Sequence, residues 1–529
     1  MADRRAPDLE RLAIEVAARK AQTLVRISQP FSLRDHAVHN AQFLRLPETS
    51  QGNLRNQICE LISSAIARDL FPVSEPLPSC RALAVHLGVS RNTVYDAYCR
   101  LIDIGLVTAR DRSGYFVNEA FAKTATAIQS HSESEHPYQS PLDRMMGDAK
   151  RPSRMARVDH PDDWDSYDYP FVYNQIEPAQ FPIQAWRESM RVAMATSNLE
   201  VWSRDAAGTG SAKLVKQLQQ RLLGYRGISA SYDQILITSG AQNAIFLLGC
   251  LTAYLGRGVA VEDPCYPEAR NAFEVAGNTV HNVRVDAEGL VVSEIPQEVG
   301  LVYTTPSHQF PTSVTMPHER RLELCDRAVQ DDFLICEDDY EAEMNFVQAR
   351  GRPIRSIDTN GRAIYVGSLS KSVAPGLRIG YMVAHADIIK EIKAIRRYMM
   401  RHPPILMQEA MAHFIASGAL DAHLRKMERR YRARWEITQS ALSEYLPDFV
   451  IQASLGGTCF WLTGPPDFDS TTLARNLTAR SVLIDEGSVF FKDPRQGRRN
   501  LRIGFAALPK SEIRDGIKII AEEVGKLRT

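Results

Sequence analysis

The sequence predicts a multidomain protein, in which a small N-terminal α+β unit precedes a large α/β unit with a smaller C-terminal α+β part. The chain has 529 residues, enough for roughly two to four domains. Residues 53–118 show helical apolar spacing that ends in a short hairpin pattern. From Tyr169 to Thr529, continuous apolar runs of strand length alternate with helical patterns, which indicates a mostly parallel sheet covered on both faces.

The composition excludes several classes of protein. Lys and Arg total 63 and Asp and Glu total 63, so a polybasic protein is excluded and any nucleic-acid-binding surface must be local. The 8 cysteines form no Cys-x-x-Cys pair, which argues against a structural zinc site and a disulfide framework and fits a reducing compartment. Because the sequence contains no signal peptide and no apolar run of membrane-spanning length, we expect a cytoplasmic protein with no membrane contact and no bound metal.

The chain divides into four predicted segments. Residues 1–52 form an N-terminal extension of mixed character, and residues 53–118 form the small unit. Residues 119–168 include the run Gln-Ser-His-Ser-Glu-Ser-Glu-His-Pro, and their composition is too polar to bury a core. We therefore predict that this segment is a linker and that residues 169–529 form the large unit.

Residues 77–94 carry the signals of two helices joined by a tight turn. Ser79 and Ser90 are typical N-cap residues, and Gly88 supplies the turn between the helices. Two strand patterns then flank residues 110–114, where arginines and a glycine form a hairpin tip. This order predicts a winged helix-turn-helix, whose second helix meets base edges and phosphates with its N-terminal half. That half carries Arg91, Asn92, Thr93 and Tyr95.

The stretch Leu77-Pro-Ser-Cys-Arg-Ala-Leu-Ala-Val-His-Leu-Gly-Val-Ser-Arg-Asn-Thr-Val94, closed by Ser113-Gly-Tyr-Phe-Val117, resembles the GntR family of bacterial repressors. The resemblance covers essentially all of residues 53–118 and implies binding to double-stranded operator DNA. It implies contacts with phosphates or bases from Ser79, Arg81, Ser90, Arg91 and Thr93, with Gly114 at the wing tip. Taken singly, each serine is equally explained as a helix cap and each arginine as solvated surface.

Three motifs in the large unit point to a phosphorylated carbonyl cofactor. In Gly367-Ser-Leu-Ser-Lys-Ser-Val-Ala-Pro-Gly-Leu-Arg378, a lysine suited to a Schiff base follows a predicted strand, with hydroxyls and a guanidinium for a phosphate nearby. Glu337-Asp-Asp-Tyr340 ends an apolar strand and offers a carboxylate for a pyridine nitrogen. Ser239-Gly-Ala-Gln-Asn243 begins a helix, where backbone amides favour an anion.

Together these motifs resemble the fold-type I pyridoxal 5'-phosphate (PLP) enzymes of the aspartate aminotransferase superfamily. The resemblance implies that Lys371 forms the internal aldimine and that Asp338 pairs with the pyridine nitrogen. It implies that Tyr340 lies near the ring hydroxyl, that Tyr266 stacks on the ring and that Arg502 binds a substrate carboxylate. The residues implied to hold the phosphate are Gly240, Ala241, Gln242, Ser368, Ser370 and Arg378. Each residue alone also fits a purely structural position.

A GntR-like winged helix joined to an aminotransferase-like domain is similar to the MocR/GabR regulators, and Thr305-Pro-Ser-His-Gln-Phe-Pro-Thr312 supports this resemblance. It implies a homodimeric transcription regulator that senses a small amino compound as an external aldimine. The sequence departs from the family pattern at Ser313, at residues 202–208 and at residues 456–461. Because the first and third of these border the expected effector pocket, no known effector can be transferred.

Two other functions stay open at this point. One is a working aminotransferase that carries a DNA-binding appendage, since Lys371 and Asp338 are both retained. The other is a sensor of PLP itself, which needs no amine. Arg502 favours an amino-acid effector over the second alternative.

Overall fold

The computed structural model describes residues 54–67, 70–73, 75–110, 113–119, 141–146, 151–172, 177–205, 208, 210–344, 351–452 and 456–528. The chain divides into two compact units, Met1–Gly147 and Asp148–Thr529. The predicted extension 1–52 and most of the first half of the predicted linker lie outside the described residues. Among the helices described, none is both long and apolar enough to cross a membrane.

The small unit is a winged helix, as the sequence predicts. Its helices are α1 (Leu54–Ala67), α2 (Cys80–Leu87), α3 (Arg91–Asp103) and α4 (Pro141–Met146), and its strands are β1 (Val107–Arg110) and β2 (Gly114–Val117). Both predicted N-cap serines accept a hydrogen bond from a backbone amide. The Ser79 hydroxyl accepts the Ala82 amide at 3.2 Å, and the Ser90 hydroxyl accepts the Thr93 amide at 3.1 Å. Gly88 has a φ of 66°, the left-handed conformation that ends α2.

One tyrosine ties the parts of the winged helix together. Tyr98 on α3 is fully buried in the apolar core that α1, α2 and the hairpin share. Its hydroxyl donates to the Pro78 carbonyl at 2.6 Å, and its ring stacks on Tyr115 of β2 at 4.4 Å. Tyr98 therefore holds α3, the turn before α2 and the wing in one fixed arrangement.

The large unit contains the α/β fold. Its helices are α5 (Ile183–Ala193), α6 (Leu199–Trp202), α7 (Ala212–Gln217), α8 (Ala241–Tyr254), α9 (Pro267–Val275), α10 (His318–Gln330), α11 (Ile354–Ile357), α12 (Leu369–Ser372), α13 (Ala386–Met400), α14 (Ile405–Ala416), α15 (Ala419–Tyr445), α16 (Ser470–Thr478), α17 (Pro494–Gly497) and α18 (Ile513–Leu527). Its strands are β3 (Tyr169–Phe171), β4 (Ile235–Thr238), β5 (Gly258–Asp263), β6 (Val280–Asp286), β7 (Gly289–Leu290), β8 (Val299–Thr304), β9 (Leu334–Asp339), β10 (Ala363–Ser368), β11 (Gly380–Val383), β12 (Val450–Ile451), β13 (Cys459–Thr463), β14 (Val482–Glu486) and β15 (Asn500–Gly504).

The larger sheet has eight strands in the order β4-β11-β10-β9-β8-β5-β6-β7. Strands β10, β9, β8, β5 and β6 run parallel, whereas β11 is antiparallel to both of its neighbours. The prediction of a mostly parallel sheet is confirmed. Since parallel strands place their carboxyl ends at one edge, the residues after β9 and β10 lie close together.

A second, five-stranded sheet has the order β12-β13-β15-β14-β3 and belongs to the C-terminal part. Its register places Arg502 of β15 opposite Trp461 of β13 on one side and opposite Asp485 of β14 on the other. Arg502 lies between two neighbouring strands of this sheet and is fully buried.

Residues 151–168, which we call the strap, lie in the predicted linker but contact the rest of the large unit. Asn271 Nδ2 donates to the Ala156 carbonyl at 2.7 Å, and the Val158 amide donates to Glu268 Oε1 at 3.2 Å. His160 Nε2 lies 2.6 Å from Asp485 Oδ1. These contacts come from the second half of the predicted linker. The division into four segments stays a prediction.

The backbone of Gly380, at the start of β11, touches the turn that precedes α8. A Cβ at Gly380 would lie 2.6 Å from the carbonyl carbon of Gly240, and backbone atoms cannot rotate away. We expect Gly380→Ala to destabilise the large unit by about 1–3 kcal/mol, because overpacking forces a backbone shift. Urea unfolding followed by tryptophan fluorescence measures this loss, since all 5 tryptophans belong to the large unit.

Gly376→Ala is the matched control for Gly380→Ala. It lies in the neighbouring turn, and a Cβ there would meet nothing within 4 Å. If both variants unfold at the wild-type urea concentration, the close approach of β11 to the turn is not a stability constraint.

Candidate cofactor and DNA-binding sites

The carboxyl ends of β9 and β10 and the start of α8 meet around one cavity. Nine residues that the sequence analysis selected line this cavity: Ala241, Gln242, Tyr266, Asp338, Tyr340, Ser368, Ser370, Lys371 and Arg378. The other lining residues are Ile245, Tyr303, Thr305, Phe310 and Pro375. The structure therefore brings together side chains that are up to 137 positions apart, from Ala241 to Arg378.

Asp338 presents a carboxylate oxygen for which the described residues provide no hydrogen-bond partner. Its Oδ2 accepts the Tyr303 hydroxyl at 2.8 Å, whereas Oδ1 is buried and unsatisfied. Burial raises the pKa of Asp338 to about 7, and the nearby Asp339 and Glu262 carboxylates act in the same direction against the Tyr303 hydrogen bond. A protonated pyridine nitrogen is the kind of donor that this oxygen fits.

Lys371 lies in the short helix α12, three residues after the end of β10. Its Nζ lies 4.9 Å from the centre of the Tyr340 ring. Burial, together with the positive charge of Arg502, holds the pKa of Lys371 well below its usual value. A lowered pKa favours the neutral amine, which is the nucleophile that attacks a carbonyl carbon.

The first turn of α8 and Arg378 form a cradle for an anion. Gly240 precedes the helix with a φ of 81°, and a Cβ there would lie 3.1 Å from Nη2 of Arg378. The same Nη2 donates to the Ser239 carbonyl at 3.3 Å. Helix amides and a guanidinium that share one side of the cavity suit a phosphate group.

Ser370 and Gln242 already have partners within the protein. The Ser370 hydroxyl accepts the Ile379 amide at 2.9 Å and donates to the Ile379 carbonyl at 3.3 Å, which fixes the turn between α12 and β11. Gln242 Nε2 donates to the Glu268 carbonyl at 3.0 Å. Contact of Ser370 and Gln242 with a phosphate therefore stays a prediction. The groups left for the phosphate are the Ser368 hydroxyl, Arg378 and the α8 amides.

Aromatic rings form the wall of the cavity and lead to Arg502. Phe310 packs edge-to-face with Tyr266 at 5.2 Å and with Tyr340 at 5.8 Å. The Arg502 guanidinium lies 4.5 Å from the centre of the Phe310 ring, and its Nη1 lies 3.4 Å from Asp485 Oδ2. Arg502 thus borders the aromatic wall and does not line the Lys371 cavity itself.

Sequence reasoning missed the residues that shape the cavity from behind. Tyr303 was not selected, because a tyrosine inside an apolar strand run looks like core. Glu262 was also missed, although it accepts hydrogen bonds from Thr304, Thr305 and Gln309 at distances of 2.6–3.2 Å and so fixes the 305–312 loop. The signal that could have revealed Glu262 was an acidic residue at the end of a fully apolar strand.

Two of the three departures from the family pattern lie near Arg502. Ser313, which replaces the glycine of the family pattern, has a φ of 63°, in the left-handed region that favours glycine. The Ser313 hydroxyl lies 3.4 Å from the Sγ of Cys459, whose thiol interacts electrostatically with Arg502. Cys459 therefore lies near the guanidinium, and Ser313 contacts Cys459.

The residues selected for DNA binding lie on the surface of the winged helix. Those classed as exposed are Ser79, Arg81, Ser90, Arg91, Asn92, Tyr95 and Gly114, and Thr93 is half-buried. The Ser79 and Ser90 hydroxyls are engaged as helix caps, so their contact with DNA stays a prediction. Residues 111 and 112, at the predicted wing tip, lie outside the described residues.

Comparison with known proteins agrees with both units. Residues 163–520 match the aminotransferase class I and II family, and residues 54–117 match the gntR family of bacterial regulatory proteins. The HTH-type transcriptional regulator TauR of Rhodobacter capsulatus is 38% identical over 89% of this chain and 96% of its own length. The chain belongs to the family of HTH-type transcriptional regulators that includes TauR.

Two further comparisons place the family. The probable rhizopine catabolism regulatory protein MocR of Rhizobium meliloti is 28% identical over 88% of this chain and 92% of its own length. A kynurenine aminotransferase from Pyrococcus horikoshii superposes with a TM-score of 0.64 at 28% identity, covering 69% of this chain and 93% of the enzyme. The regulator therefore consists of a GntR-type winged helix and a PLP-dependent aminotransferase-type domain.

We expect Asp338→Asn to stabilise the cofactor-free regulator. Because the pKa of Asp338 is raised to about 7 on folding, its contribution to stability is present below its unfolded pKa and is lost as pH rises through 7. The neutral amide removes this loss, so the gain should grow from pH 5 to pH 8 and reach at most roughly 4 kcal/mol. Urea unfolding of the two proteins across this pH range measures it.

The same variant should bind PLP more weakly, as an amide cannot hold a protonated pyridine nitrogen by charge. Equilibrium dialysis against PLP measures the affinity. Equal stability of the two proteins at pH 8, or unchanged PLP affinity, would contradict the assignment of Asp338.

Proposed function

We propose that this regulator binds operator DNA as a homodimer and changes its DNA binding when a small amino compound reacts in the PLP site. The observation that carries the proposal is the meeting, in one cavity, of a buried lysine, an unsatisfied carboxylate oxygen and an anion cradle. A winged helix in the same chain gives this chemistry a DNA-binding output. Because its target is DNA, we place the protein in the cytoplasm.

PLP, when bound, supplies a carbonyl group that reacts with amines and a ring that withdraws electrons. Lys371 would hold the cofactor through its buried amine, whose Nζ could also carry a proton. Asp338 Oδ1 would hold a proton on the ring nitrogen. The α8 amides and Arg378 would hold the phosphate, and the rings of Tyr266 and Tyr340 would lie against the cofactor.

Arg502 is the residue that selects the amino compound in this proposal. Its guanidinium is fully buried and lies against the Phe310 ring, so an anionic group that reached it would be removed from water. Paired charges are stronger there than at the surface, and a planar guanidinium binds a carboxylate through two parallel hydrogen bonds. The preferred compound therefore carries an amine and an acidic group.

The winged helix reads DNA with the exposed side of α3. Arg91 and Asn92 stand at its N-terminal end, where a recognition helix reaches base edges, and Arg81 on α2 faces phosphates. For the compound to change DNA binding, it must bind one arrangement of the dimer more tightly than another.

Lys371→Ala should abolish the response of DNA binding to amino compounds and leave DNA binding intact. The small unit contains none of the residues that hold PLP, so its fold and its exposed α3 are unaffected. Fluorescence anisotropy with a duplex that the wild-type protein selects from a random pool measures both quantities, with β-alanine and other amino acids added. A normal response in the variant would show that the lysine is not used.

Arg91→Ala should weaken binding to the selected duplex by roughly ten-fold or more, as expected for loss of one base or phosphate contact worth about 1–3 kcal/mol. Arg100→Ala, at the exposed C-terminal end of the same helix, is the control and should bind as the wild type does. Equal losses in both variants would mean that the N-terminal half of α3 does not face DNA.

A second candidate function is transamination, which the similarity to an aminotransferase structure favours. Lys371 could then move protons between substrate carbon and Nζ during repeated turnovers. Continued formation of a keto acid from an amino-acid donor and a keto-acid acceptor would support this function. A single equivalent of product per protein, or none, would support sensing.

A further inference from the structure

Two acidic side chains hold the strap on the large unit. Glu268 Oε1 accepts the Val158 amide at 3.2 Å, and Asp485 Oδ1 lies 2.6 Å from His160 Nε2. The side chain of Asp485 is 1% exposed and that of His160 is 15% exposed, so water competes little for their contact. A carboxylate as buried as Asp485 requires compensation by a donor or a positive charge, and His160 supplies part of it.

The other oxygen of the same carboxylate contacts Arg502. The register of β14 and β15 sets Asp485 directly opposite Arg502, and Oδ2 lies 3.4 Å from Nη1. Asp485 therefore joins the strap through one oxygen and the predicted effector arginine through the other. Val158, two residues before His160, packs against the aromatic cluster that includes Phe310 and Tyr340, so this part of the strap borders the wall of the site.

We propose that His160, Asp485 and Arg502 form a relay that tightens the strap when the acidic group of an amino compound binds Arg502. The relay rests on the proposed role of Arg502 in effector binding. His160 and Asp485 are positioning residues here, because they act through Arg502. The strap follows the winged helix in sequence, so its attachment is a route by which the site can influence the small unit.

The direction of the effect follows from charge. An anion on Arg502 takes up part of the positive charge that compensates Asp485. The buried carboxylate then depends more on its hydrogen bond with His160, which strengthens. The Glu268 carboxylate interacts with the same histidine and acts in the same direction.

Hydrogen exchange of the full-length, PLP-loaded protein tests the relay without any effector. Arg502→Gln removes the same positive charge from Asp485 as an anion would, so we expect strap amides to exchange more slowly, by about threefold or more. His160→Gln should speed their exchange by about tenfold or more, as expected for loss of a hydrogen bond to a charged group. In the double variant, Arg502→Gln should no longer slow the strap.

Asp159→Asn is the matched control, since its side chain is 68% exposed and pairs only with Arg157 in the described salt bridges. It should leave exchange of the strap unchanged. Unchanged or faster exchange in Arg502→Gln, or equal slowing with and without His160, would overturn the relay.

Binding of small probes separates this inference from the proposed function. β-Alanine carries an acidic group and ethylamine lacks it. His160→Gln should weaken the effect of β-alanine on the absorption of bound PLP by about fivefold or more and leave that of ethylamine unchanged. If neither probe altered the wild-type absorption or DNA binding, the proposed function would fail while the exchange measurements would still decide the relay.

Discussion

Burial of three consecutive carboxylates at the end of β9 constrains the whole large unit. Because side chains alternate along a strand, Asp338 points to one face of the sheet and its neighbours Glu337 and Asp339 to the other. Glu337 accepts the amides of residues 354 and 355 at 3.0 and 3.1 Å, and its burial, with the nearby Asp339, raises its pKa to about 7. Although burial opposes it, the Arg226 guanidinium holds the pKa of Asp339 below its usual value. Oδ1 of both Asp338 and Asp339 lacks a hydrogen-bond partner among the described residues. On the rear face Arg226 pairs with Asp339, whereas Asp338 lines the cavity and its described hydrogen-bond partner is the neutral Tyr303 hydroxyl.

This asymmetry produces the reactive site. An uncompensated carboxylate in an apolar sheet costs stability, and a cofactor whose ring nitrogen carries a proton removes that cost on binding. Lys371 shows the same logic with the opposite charge, since burial and the charge of Arg502 lower the pKa of its amine and favour the reactive neutral form. Burial of the Asp338 carboxylate and of the Lys371 amine thus costs stability in the protein without cofactor, and the same two groups are suited to PLP.

Features that depend on neighbours in sequence were predictable, and features that depend on distant contacts were not. The caps at Ser79 and Ser90 and the lysine after β10 follow from local pattern and turn chemistry. The contact of Tyr303 with Asp338 joins residues 35 positions apart, and that of His160 with Asp485 joins residues 325 apart. No periodicity carries such information. The polar composition of the predicted linker also concealed the strap, because most of residues 151–168 are exposed and only a few of them contact the rest of the large unit.

In the proposed function, one chemical event in the large unit changes DNA binding by the small unit. The most direct test records the visible absorption of bound PLP and the anisotropy of labelled operator-like DNA in one sample during titration with β-alanine and related amino acids. We expect that, for at least one compound, both signals change with the same midpoint and stay constant afterwards. An absorption change that saturates without any change in DNA binding would contradict it.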